Sequence, residues 1–180
     1  MEIKKIGIAG AGTMGYSMAD IFAAHGYEVT LWNHREPTLE RAKTRISAAS
    51  RDKIRYTTDL AALVACDIVI ENVTEDLDIK QDFYRRLCPV VGDNTILATN
   101  TSGLPINLLA RSVTRPERFL GMHWFNPPTL LLLIEIIKND KTRPEVADAV
   151  RDLARSIGKQ PVVVQRDVPG FAANRIQLAV

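Results

Sequence analysis

Lys4-Lys5-Ile6-Gly7-Ile8-Ala9-Gly10-Ala11-Gly12-Thr13-Met14-Gly15 is a short apolar strand that runs straight into a glycine-rich turn. In this spacing Gly10 can make the tight turn off the strand, and Gly12 lets the backbone approach a pyrophosphate with no Cβ in the way. Gly15 lets the following helix pack close to the sheet. That helix, expected from about Met14 to His25, would aim its first unpaired N–H groups, those around Thr13 and Met14, at the ligand. A lone GxGxxG can be an ordinary glycine turn. Here a strand precedes it, an Ala-rich helix follows, Gly26 closes that helix and a second apolar strand runs from Glu28 to Trp32. The result is a βαβ unit of about 30 residues, the context in which the motif binds a dinucleotide.

Outward from that unit, strands and helices keep alternating. A polar turn at Asn33-His34-Arg35-Glu36-Pro37 leads to a charged helix expected over Thr38–Ala49, then a short strand at Ile54–Thr57 and a small helix at Leu60–Ala65. Asp67 to Val73 is a nearly continuous apolar run of the kind buried on both faces of a parallel sheet. A helix over Asp78–Cys88, a strand over Asn94–Thr99 and a helix over Pro105–Ala110 follow. The strands Phe119–Phe125 and Leu131–Lys138, separated by the turn Asn126-Pro127-Pro128, then lead through a helix over Pro144–Ile157 to a strand at Pro161–Gln165. This alternation predicts an α/β fold of Rossmann type, with a doubly wound, mostly parallel sheet. Residues 1–167 read as one dinucleotide-binding domain. Residues 168–180 read as the opening turns of a second, helical domain, because the apolar residues from Phe171 on have nothing left in this sequence to pack against.

At 180 residues, 46% hydrophobic and 24% charged, with a formal net charge of +2, the chain can bury a full core. Its charges are scattered, so no nucleic-acid partner is implied, and no apolar run reaches membrane-spanning length. Cys66 and Cys88 lie in no CxxC pair and beside no metal-ligand pattern. The expectation is passive thiols in a reduced cytoplasmic setting and no metal site.

Five further stretches, taken in order with the glycine turn, resemble the N-terminal domain of the 3-hydroxyacyl-CoA dehydrogenase family over essentially the whole chain. They are Glu75 followed by Lys80, Asn100-Thr101-Ser102, Gly121-Met122-His123-Trp124-Phe125-Asn126-Pro127, Glu135 in its strand, and Pro169-Gly170-Phe171 leading to Asn174-Arg175. The resemblance implies a nicotinamide-dependent oxidation of a 3-hydroxyacyl substrate, an acyl-CoA or a related acyl thioester, by a homodimer formed through a helical domain. It places Glu75, Lys80 and Asn100 around the nicotinamide ribose, Ser102 against both cofactor and substrate, Asn126 on the same edge, and Asn174 against the substrate. Each has a plainer alternative: Glu75 with Lys80 as a surface charge pair, Asn100 to Gly103 as a helix cap, Asn126 as a turn.

The chemistry explains the types. Oxidising a secondary alcohol needs a base to take the hydroxyl proton as hydride leaves, and a histidine suits that task near neutral pH. His123 is that base in this reading, although a histidine ending an apolar strand is often structural. Glu135 favours the catalytic role, since the two strands could lie as neighbours and let a carboxylate hold the imidazole. Two features depart from the family. The stretch from Trp32 to Ile54 is short where relatives carry a longer helical excursion that grips CoA, and Thr129 to Leu133 is unusually rich in leucine. A small free hydroxy acid, or a non-catalytic dinucleotide module, are the alternatives.

Cofactor choice is read from the end of the second strand. NAD-specific sites carry a carboxylate there for the adenine ribose. Here the residue is the neutral Asn33, with Arg35 two positions on, and a guanidinium suits a 2′-phosphate. The residues therefore favour NADP or dual use, and the family resemblance favours NAD.

Overall fold

The computed structural model describes residues 2–178. Eight strands form one sheet: β1 (Lys5–Ala9), β2 (Glu28–Trp32), β3 (Ile54–Thr57), β4 (Ile68–Glu71), β5 (Ile96–Thr99), β6 (Phe119–Trp124), β7 (Leu133–Lys138) and β8 (Gln160–Val164). Their order is β3-β2-β1-β4-β5-β6-β7-β8. All neighbours are parallel except β6 and β7, which the proline turn makes antiparallel. The chain leaves β1 toward β2 and β3 on one side and returns to β4 on the other, which is the doubly wound arrangement predicted.

Helices α1 (Thr13–Ala24), α2 (Glu36–Arg45), α3 (Ala48–Arg51), α4 (Leu77–Leu87), α5 (Ile106–Ala110), α6 (Pro144–Ser156) and α7 (Ala173–Leu178) cover the sheet. Strand parity divides the core in two. Ile6, Ile8, Met122 and Trp124 pack with Met18 and Phe22 of α1 and Val150 of α6. Ala9, Val69, Leu97 and Phe119 point the other way, onto Phe83 and Leu87 of α4. Burying both faces is why β4 has no exposed residue.

Two expectations are corrected. The helix expected over Thr38–Ala49 starts earlier, with Pro37 in its first turn, and is broken at Ile46, whose ψ of 142° is extended. The break has a cause in α1: Asp20 accepts from the Ser47 backbone N–H at 3.0 Å and from its hydroxyl at 2.7 Å, pulling Ser47 out of the helix. The strand expected from Leu131 begins only at Leu133, and Leu130, Leu131 and Leu132 are exposed. Their loop is held from beneath by Lys159, whose ammonium donates to the carbonyls of Pro128 and, at 2.8 Å, Leu131, and lies 5.5 Å from the centre of the Trp124 ring. The predicted final helix is described from Ala173 to Leu178, and residues 179 and 180 lie outside the described residues.

Candidate functional site

Every predicted site residue of the first half lies at or just beyond the carboxyl ends of β1, β2, β4 and β5, where open α/β sheets bind ligands. Gly10 has φ +110° and donates to the Trp32 carbonyl at 2.8 Å; a Cβ there would meet the Asn72 carbonyl oxygen at 2.4 Å. A Cβ on Gly15 would come within 1.8 Å of the Gly10 oxygen, so the helix can approach the turn only with glycine at that position. Above Gly12 there is nothing within 4 Å. The turn thus carries open space where a pyrophosphate would lie, at the mouth of a cavity of about 980 Å³ lined also by Trp32, Asn33, Arg35 and Phe83. Thr13 is exposed at the start of α1, and Met14 leans on the first core.

Asn33 is buried and both ends of its amide are engaged: Oδ1 accepts from Ala11 N–H at 3.2 Å and Nδ2 donates to the Arg35 carbonyl at 3.2 Å. It braces the glycine turn against the loop after β2. Arg35 is exposed on the cavity wall, and its guanidinium has no ion-pair partner among the described residues.

Lys80 is 1% exposed, which overturns the surface-pair alternative. Its ammonium lies 2.5 Å from Glu71 and 3.3 Å from Glu75. Glu75 in turn accepts from the Thr101 hydroxyl and, at 2.9 Å, from the Ser102 N–H. Burial pushes the Glu75 carboxyl up, but the Thr101 hydroxyl, the Lys80 ammonium and the Ser102 N–H outweigh it and hold it below the usual value. The helix-cap alternative for Asn100 to Gly103 also fails, since α5 starts after Pro105 with no side-chain cap. Instead Asn100 ties three strand ends together. Its amide donates to Asn72 Oδ1 and its oxygen accepts from Trp124 N–H, both at 2.8 Å.

His123 and Glu135 are register partners across β6 and β7, on the face of the second core. Nδ1 of His123 lies 2.9 Å from Glu135 Oε2, with the residues 3% and 1% exposed. The other oxygen of Glu135 accepts from the N–H groups of Ala172 and Ala173 at 2.9 and 2.8 Å. Burial pushes this carboxyl up too, and those three hydrogen bonds outweigh it, leaving the group below its usual value. The ring is flanked by Phe125 and by Phe171, whose centroids lie 4.4 and 5.6 Å away, and Phe171, expected to have nothing in this sequence to pack against, is instead buried in the second core. Phe171 adopts a φ of 50°, rare for an aromatic residue, after Gly170 at 76°. This turn delivers α7, whose Asn174 donates to the Ser102 carbonyl at 2.9 Å. Two segments of this edge that are far apart in sequence are thereby joined.

Asn126 is not drawn in: it is exposed in the turn before a cis peptide to Pro127 and does not line the cavity. Sequence reasoning missed Glu71 and Asn72, although an acid inside a run expected to be buried on both faces was a signal. It also missed the Ala172 and Ala173 N–H groups, for which no side-chain pattern exists. Cys66 is buried and its thiol is pushed up to about 11 by that burial, while Cys88 is half-buried; both are free thiols. No helix among the described residues is long and apolar enough to cross a membrane.

A glycine turn at the switch point of a doubly wound sheet, with a histidine–carboxylate pair on the same edge, defines a dinucleotide-binding domain of the oxidoreductase type. Comparison with known proteins specifies it further. The family profile described as 3-hydroxyacyl-CoA dehydrogenase, NAD binding domain, matches residues 5–168, and the chain belongs to that family. It is 41% identical over 193 residues to the 5-formyl-3-hydroxy-2-methylpyridine 4-carboxylate 5-dehydrogenase of Mesorhizobium japonicum, covering 99% of this chain and 62% of that protein. It is 36% identical over 188 residues to a probable 3-hydroxybutyryl-CoA dehydrogenase of Deinococcus radiodurans, covering 96% and 67%. The crystal structure of a 5-formyl-3-hydroxy-2-methylpyridine 4-carboxylic acid 5-dehydrogenase, described as an NAD+ dependent dismutase, superposes with a TM-score of 0.93 at 41% identity, covering 99% of this chain and 62% of that one. The chain thus spans a little under two thirds of the first of these relatives.

Proposed function

We propose that this chain is the cofactor-binding and acid–base part of a nicotinamide-dependent dehydrogenase that interconverts a 3-hydroxyacyl thioester and its 3-oxoacyl form. The observation that carries the reading is the buried His123–Glu135 pair at the edge that also holds the glycine turn. The open space over Gly12 and the absence of room for side chains at Gly10 and Gly15 fit a dinucleotide. When bound, that cofactor supplies the hydride acceptor. His123 takes the hydroxyl proton at Nε2, because Nδ1 is held by Glu135, which fixes the tautomer and stabilises the imidazolium that forms. The Ser102 hydroxyl, exposed beside Glu75, orients the reacting oxygen, and Asn174 closes the substrate side. Residues 1–167 act as the dinucleotide-binding domain, and residues 168–180 open a second, helical one through which the family resemblance supports a homodimer.

A second reading has a specific observation behind it. Only α2 and the four-residue α3 lie between β2 and β3, with no long helical arm to grip CoA. A small free hydroxy acid fits that span, and a relative at 41% identity is named for a pyridine carboxylate. For the cofactor, the neutral Asn33 and the unpaired Arg35 support NADP or dual use, while the NAD binding description of the family supports NAD.

Steady-state assays of the full-length protein with 3-hydroxyacyl-CoA and with free hydroxy acids, each with NAD and NADP, separate these readings. His123→Ala should lower kcat by about a hundredfold or more while dinucleotide affinity holds; affinity lost in parallel would count against the base. Tighter NAD than NADP binding, unchanged by Arg35→Ala, would defeat the NADP preference. Asn33→Asp should move preference toward NAD.

A further inference from the structure

Glu71 ends β4 on this same edge and is fully buried, although neither the glycine turn nor the acid–base pair calls for a carboxylate there. Removing an ion pair of this kind from water is costly, and well-packed apolar residues would hold a sheet as well. Its four partners suggest what it does instead. Oε1 accepts from Val73 N–H at 2.7 Å and from Lys80 at 2.5 Å. Oε2 accepts from the Thr99 hydroxyl at 2.8 Å and from Tyr84 at 3.3 Å. Lys80 hands the contact on to Glu75, and Glu75 to Thr101 and Ser102. Ser102 receives Asn174, which follows the two N–H groups that bind Glu135. A second route is shorter: the Glu71 carbonyl accepts from Asn100 N–H at 2.9 Å, and Asn100 holds the backbone of Trp124, next to His123.

We propose that Glu71 is a positioning residue for the reaction, fixing Lys80 and, through Lys80 and Glu75, the Thr101-Ser102 loop relative to His123. This rests on the dehydrogenase reading above. Ser102 at the end of this loop is exposed, while Thr101 beneath it is fully buried, so the charge on Glu71 reaches the exposed end through a chain of polar contacts from the core.

The test is Glu71→Gln in the full-length enzyme. A glutamine keeps the volume. Its carbonyl can accept from Val73 and Lys80, and its amide can donate to the Thr99 and Tyr84 hydroxyls, which can rotate to receive it. Only the charge is removed. The expected result is a kcat lower by about tenfold, with dinucleotide Kd changed by less than about threefold, because the pyrophosphate cradle at the glycine turn and the Asn33 brace are untouched and only the nicotinamide-end contacts of Lys80 and Glu75 shift. In a Glu75→Gln background the same substitution should add little, since both act through one path. A lowered Tm with unchanged kcat, or effects that simply add, would overturn the proposal. Should Glu71→Gln fail to fold, the exposed Glu75→Gln carries the test, and an unchanged kcat there has the same consequence. A wild type that binds no dinucleotide removes both this proposal and the functional reading, whereas an active wild type with an unaffected Gln variant removes this one alone.

Discussion

One carboxylate does two things at Glu135: one oxygen orients His123 and the other anchors the start of α7 through two backbone N–H groups. Glu135→Gln should therefore lower turnover less than His123→Ala and alter the pH profile of kcat; an unchanged profile would dismiss the pairing. Stability follows from the direction of the shift. The folded value lies below the ordinary 4.5, so the stabilisation is present above that value and is lost as pH falls through the lower, folded one. Urea unfolding should show the gap between wild type and Glu135→Gln widest near neutrality and closing as pH falls below the ordinary carboxylate value. At Gly15 the constraint is steric. A methyl group 1.8 Å from the Gly10 oxygen has no flexible neighbour to displace, since Gly10 is itself bonded to Trp32. Gly15→Ala should cost about 3 kcal/mol or more in a urea titration and abolish dinucleotide binding.

The elements most legible in the sequence were those whose pattern is local. The strand running into the glycine turn, the apolar run of β4 and the alternation of strands with helices follow from periodicity, while His123 and Glu135 stood out through the family resemblance, and the two apolar strands joined by a proline turn made their pairing readable. What escaped depends on contacts distant in sequence. The break between α2 and α3 could not be read from Thr38 to Ala49, because its cause is Asp20, in another helix. Lys80 could equally be read as a surface charge because its chief partner, Glu71, lies inside a strand. Asp20→Ala should cost about 1–2 kcal/mol by chemical denaturation, as the Ser47 N–H and hydroxyl lose their acceptor. A midpoint equal to wild type would show that the break needs no such latch.

Across the whole molecule, both cores meet the ligand-binding edge where the strand order reverses between β1 and β4. A dinucleotide bound there would bridge the ends of β1, β2 and β4, and at a hundred times Kd it should add about 2.7 kcal/mol of stability. A thermal melt without an upward shift at that concentration would contradict the proposed cradle. The two ends of the edge should also respond differently to dissolved electrolyte. Lys159, which supports the loop beyond His123, is met by carbonyl groups and an indole face inside the protein. Mobile ions cannot reach and screen that contact, whereas Arg35 stands in open water within their range. Raising ionic strength should therefore weaken capture of the cofactor's phosphates while leaving the rate at saturation nearly level, making the enzyme salt-sensitive in what it holds and salt-tolerant in what it does.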